Sequence, residues 1–174
     1  MSPGPADAEV ASASLRRRGA ALLYEALLLT AIVLVASFAI APLVAPTTAS
    51  SQHLVIPSRG GRALSFAVLF ALGGVYFAWC WSRGRRTLAM KAWKLALVTA
   101  DAAPLSSGRA LARYVAAWIG PALGLAAYAL LQPHGWSALA WPLFALNWLA
   151  ALVDRDRLFL HDRVAGTILA LARQ

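Results

Sequence analysis

The chain is poor in charge. Of its 174 residues, 13% are Asp, Glu, Lys or Arg, and only seven are acidic. A soluble domain carries about 25% charged residues, so a soluble domain of ordinary composition is excluded. Cysteine is almost absent. The lone Cys80 excludes an intramolecular disulfide and a thiolate metal framework. The three histidines, His53, His134 and His161, lack ligand spacing with one another or with carboxylates, so neither metal nor cofactor is expected. No G-x-S-x-G or comparable nucleophile context occurs, and no enzymatic activity is expected. Apolar residues fill the space that charge leaves. They make up 60% of the chain, mean hydropathy is +0.65, and long uncharged runs of this kind read as membrane spans.

The composition divides the chain. Residues 1–14, "MSPGPADAEVASAS", are small and polar and predict a disordered cytoplasmic tail. Residues 15–174 form one membrane domain with spans at about 19–44, 63–81, 114–131 and 136–153. The first could pass for a signal peptide. Its apolar run is longer than an h-region of about 7–15 residues and contains Glu25, so it reads as a retained helix. Pro46, Pro57 and the Gly60–Gly61 pair mark residues 45–62 as a loop. Gly120, Pro121 and Gly124 fall inside the third span, where membrane helices tolerate them. Gly73–Gly74 and Gly120/Gly124 allow close helix approach. "QPHG" is short enough that the fourth span must return antiparallel. Asn147, the polar residue within that span, should hydrogen-bond a neighbouring helix. The tryptophans anchor the interfaces.

The positive charges sort by side. With the N-terminus inside, fourteen of the 16 Lys and Arg lie on inner segments, and only Arg59 and Arg62 lie outside. This positive-inside bias predicts an all-α protein of four transmembrane helices with both termini cytoplasmic. It also accounts for the net charge of +9 without nucleic acid. The expected partners are the bilayer and, at the basic inner face, anionic lipid headgroups. Two short apolar stretches, "WKLALVT" and "AGTILALA", can form strands. They are predicted to pair in a small cytoplasmic element, with Gly166 making the turn.

Glu25 poses the main chemical question. A carboxylate within a span is either paired or part of a transport path, and both readings stand. If it is ionised, a cation from the inner boundary must lie beside it. Arg18, Arg109 and Arg113 are the candidates in that order. Left unpaired it would cost several kcal/mol and should instead be protonated. In the tail, "DRDRLFLHDR" sets His161 and Asp162 together. These are expected to fix the tail to the inner loop through Arg85, Arg86 or Lys91.

Arg18, Glu25 seven residues on, "RRTLAMKAWKLALV" and "LHDRVAGTILA" form a pattern that resembles the RDD family of small bacterial membrane proteins, over about residues 15–174. The most specific part is "LHDRVAGT". In "TLAMKAWKL", Ala89 stands where glycine is usual. The resemblance places the family arginine at Arg18, the first acidic position at Glu25 (usually Asp) and the second at Asp162. It implies a multi-pass protein of the bacterial inner membrane that moves a small solute or ion, coupled to protons. A non-transporting scaffold or accessory subunit with a basic cytoplasmic face is the alternative. Four helices would enclose a narrow pathway, so transport would call for a homo-oligomer.

Overall fold

The computed structural model describes residues 13–44 and 57–172. The expected disorder of the first residues and most of the expected 45–62 loop lie outside these. Ala13 and Ser14 are described, and Ala13 joins the fold: it is buried, and its N–H donates to the Leu169 carbonyl at 2.8 Å.

Among the described residues, three helices are long and apolar enough to cross a membrane: Leu15–Val44, Arg59–Trp81 and the combined segment Ser107–His134. The first, α1 (Leu15–Val44), is a run of Leu, Ala and Val with nothing to break it before Pro42. Its outward face exposes Leu23, Leu27, Leu34, Val35 and Phe38, a surface matched to hydrocarbon. Helix α2 (Arg59–Trp81) begins four residues before its predicted start. Gly60 and Gly61 do not break it, because they occupy the first turn, where backbone N–H groups lack helical partners. Ser58 caps that turn by accepting from the Gly61 N–H at 3.1 Å.

After α2 the chain forms a short helix α3 (Leu88–Ala92), capped by Thr87, and strand β1 (Leu95–Thr99). Ser106 then caps α4 (Ser107–Ala117), and α5 (Ile119–Leu131) follows through Trp118. Pro121 cannot donate to the carbonyl four residues back, which is Ala117. Asn147 takes that freed carbonyl through its side-chain amide at 2.9 Å, as membrane proteins commonly resolve an internal proline.

The predicted fourth span is not one continuous helix. Residues 136–153 form a 3-10 turn, then α6 (Trp141–Phe144) and α7 (Leu146–Val153), with the break at Ala145. Pro142 removes one donor, and α6 presses closely on α5. A Cβ placed on Gly124 would lie 2.7 Å from the Phe144 ring, so glycine is what permits the contact.

The chain ends in α8 (Leu160–Ala165) and β2 (Thr167–Leu171). Gly166 terminates α8 at φ +60°, the left-handed conformation that glycine adopts at helix ends. β2 then lies antiparallel to β1, with Leu97 opposite Leu169. Leu95, Leu97 and Leu169 point into one core with Ala13, Trp81, Met90 and Tyr114. The small sheet therefore packs where the start of α1, the end of α2 and the residues of α4 around Ala110 and Tyr114 converge.

Candidate functional site

The site gathers around Asp162, held in the first turn of α8. Arg18, from the start of α1, donates through Nη2 to Oδ2 at 2.8 Å. Arg113, from α4, donates to Oδ1 through Nη2 at 2.6 Å and Nε at 3.0 Å. Arg18 and Asp162 are fully buried and Arg113 nearly so. Arg18 also stacks over Phe159 at 4.1 Å, and Arg113 over Trp81 at 4.2 Å. The other Arg18 amino group donates to the Arg157 carbonyl at 2.6 Å. Arg157 presents that carbonyl from a left-handed backbone, φ +53°, a strained conformation for a non-glycine residue. Burial alone would push the Asp162 carboxyl up. Arg113 and Arg18 more than reverse this and hold it below the usual carboxylate range.

His161 lines the same centre. Its Nδ1 lies 3.4 Å from the Asn147 Oδ1. Burial, with Arg113 adding to it against the pull of Asp162, pushes its pKa down to about 3. The imidazole is therefore neutral at physiological pH, and its Nε2, 3.6 Å from Asp162 Oδ1, forms no ion pair there. Two cations then surround one anion, leaving a net charge of +1 buried among aromatic rings.

The expectation of an arginine beside Glu25 is overturned. The Tyr76 hydroxyl donates to the Glu25 carboxylate at 2.9 Å, and no ion pair reaches Glu25 among the described residues. The cause is directional. Side chains on a helix lean toward its N-terminus, so Arg18 leans away from Glu25 and toward α8. The seven-residue separation adds about 10 Å along the axis. Arg113 is committed to Asp162, while Arg109 is exposed at the start of α4. The expected anchors of the tail are also corrected. Asp162 pairs with Arg18 and Arg113 rather than Arg85, Arg86 or Lys91. Arg85 instead donates to the Trp79 carbonyl and Ser82 hydroxyl, each at 2.7 Å.

A cavity of about 520 Å³ opens between α1, α2 and the α4–α5 helix. Arg18, Arg113, Trp81 and His161 line one part of it, Glu25 lies further along α1, and apolar side chains make up most of the rest. Among the described residues, no group of three or more His, Cys, Asp or Glu is placed to hold a metal ion.

No curated protein and no solved structure matches the chain. Residues 12–166 match the RDD family. That range takes in all three long helices and the Arg18–Asp162–Arg113 centre, so the chain belongs to the RDD family.

Proposed function

We propose that this RDD-family protein is a multi-pass protein of a bacterial inner membrane that moves a small solute or ion, with Glu25 as the group that takes up and releases the coupling proton. The observation that carries this reading is the setting of Glu25. It is buried in a cavity wall within a span, held by a neutral phenol rather than by a guanidinium. A carboxylate locked to arginine is held ionised, whereas one beside a tyrosine is free of that constraint.

The broken segment 136–153 belongs to the same reading as a fourth crossing. Arg18 stands in the first turn of α1 and Arg113 past the middle of α4, and both bind Asp162. The chain leaves that level along α4 and α5 and must recover it before α8. Such a crossing returns both termini to the cytoplasm, in accord with the positive charges. Accessibility of engineered cysteines tests this in a Cys80→Ala background. A cysteine at Ser51 is expected to react with an impermeant maleimide from outside, and one at Ser107 is not. The reverse pattern refutes the topology.

Proteoliposome flux tests the transport reading. A pH gradient is expected to drive exchange in wild-type vesicles, and Glu25→Gln is expected to abolish it while thermal stability in detergent is retained. Flux undiminished in Glu25→Gln would remove Glu25 from the mechanism. A second reading, a scaffold that binds anionic lipid, is favoured by another cavity of about 440 Å³ lined by Arg85, Arg86 and Lys91. Absent flux together with salt-sensitive retention of phosphatidylglycerol would favour it.

A further inference from the structure

The cavity between α1, α2 and the α4–α5 helix is long for its volume. Its α1 wall runs from Arg18 to Val33, a span of about 22 Å at ~1.5 Å per residue. A volume of about 520 Å³ spread over that length gives a mean cross-section of about 24 Å², the width of one hydrocarbon chain. The length exceeds half of the roughly 30 Å hydrocarbon core, so an acyl chain that spans one leaflet fits lengthwise.

The two ends differ chemically. At one, Arg18 and Arg113 oppose the single carboxylate of Asp162. Two donors there, Arg18 Nε and Trp81 Nε1, are buried without an acceptor among the described residues, on side chains at least nine-tenths buried. Away from it the wall is Leu22, Leu29, Val33, Phe66 and Phe70. Glu25 lies two helical turns from Arg18 on the same wall, bound to Tyr76, and offers no cation to an anion placed further in. Buried excess positive charge and unpaired donors both call for an anionic acceptor. A head that parts the Arg113–Trp81 stack would supply it.

We infer that this cavity binds a single-chain anionic amphiphile, its head at Arg18, Arg113 and Trp81 and its acyl chain along α1 and α2 toward Val33 and Phe66. Binding of this kind does not depend on anything crossing the membrane. The shared chemistry is an anionic head on one acyl chain, whether carboxylate or phosphate.

Photolabelling of the full chain in phosphatidylcholine vesicles tests it. The probe is palmitate carrying a diazirine in its chain. Label is expected on cavity residues such as Leu22, Leu29 and Phe70. Palmitate and hexadecyl phosphate should compete, and methyl palmitate and hexadecylamine should not. Stronger competition by one of the first two identifies the head. Trp81→Phe keeps an aromatic ring beneath Arg113 while trimming the indole to a phenyl and deleting an N–H that has no partner among the described residues, so it should fold and weaken labelling about tenfold. Leu29→Trp, which fills the chain end, should abolish cavity labelling. Equal competition by methyl palmitate, label confined to outward residues such as Leu27 and Phe38, or labelling unchanged in both variants would each overturn the inference. So would equal labelling of the cavity by a two-chain photoreactive phosphatidylglycerol, which would make it a boundary-lipid contact.

Discussion

Replacing Asp162 by alanine is expected to cost the most stability of any single change in this chain, on the order of 3–5 kcal/mol, the range for breaking one side of a buried ion pair. The substitution removes the anion from between Arg18 and Arg113, both buried. Four donor contacts use its carboxylate: one from Arg18, two from Arg113, and a longer approach at 3.4 Å from the Thr167 hydroxyl to Oδ1. Two like charges would then face each other in a low-dielectric setting with nothing to offset them. α8 would also lose its tie to α1 and α4. The expected result is loss of the monodisperse peak on fluorescence-detected size exclusion, or a fall in thermal midpoint beyond that of any surface variant. Asp162→Asn keeps the shape and some acceptor capacity, so it should lie between wild type and alanine. In the double variant Arg18→Ala/Asp162→Ala the cost should be below the sum of the two single changes, because Arg18 no longer faces a missing partner or a second buried cation and only Arg113 is left unpaired. Additive losses would show that the pair is not coupled as the geometry requires.

Much of this arrangement is legible in the residues. The long apolar runs mark α1 and α2, and the short apolar stretches on either side of Gly166 and Pro104 mark β1 and β2. Arg18 and Asp162 stand out as charges beside apolar sequence. Their pairing with each other does not, because 144 residues separate them and no local spacing encodes the contact. The Glu25–Tyr76 contact is partly encoded. Glu25 lies about 9 Å from Gly19 along α1, and Tyr76 about 7.5 Å from Trp81 along α2. Antiparallel neighbours thus carry the two at similar depth, and a phenol has the reach to bridge the two helices. Charge matching draws attention to arginine instead, and side-chain direction along the helix decides against it. The break in residues 136–153 has a visible cause in Pro142. That Asn147 compensates for Pro121 could be read only once the two segments are known to be adjacent. The Arg157 carbonyl has no sequence signal, since any residue held at positive φ would present it.

The Asp162 centre ties the start of the first long helix to the tail of the chain. One carboxylate closes the bundle by joining the beginning of α1, the body of α4 and the beginning of α8. Glu25 lies outside this closure. Stability and any proton chemistry therefore rest on different carboxylates, and each can be changed while the other is left in place.

Lowering the pH is expected to destabilise the protein through His161. Its pKa is about 3 in the fold against an ordinary value of 6.5. Between these values the unfolded chain binds a proton that the folded chain refuses. Stability therefore rises with pH across the window and is lost as pH falls from about 6.5 toward 3. At pH 4 the loss is on the order of 3 kcal/mol. Asp162 acts in the same direction but lower down. Its folded pKa lies below the ordinary 3.8, so its contribution is present above that value and disappears as pH falls through the folded one. The two windows separate the groups experimentally. Thermal midpoints in detergent should decline steadily from pH 6.5 to 4 in wild type. His161→Gln cannot take up a proton, and its amide can still approach Asn147, so its profile over that interval should be nearly flat. It should fall only at the acid end, where Asp162 begins to titrate. An unchanged slope in His161→Gln would mean that another group carries the acid sensitivity and that His161 does not sit neutral between Arg113 and Asn147.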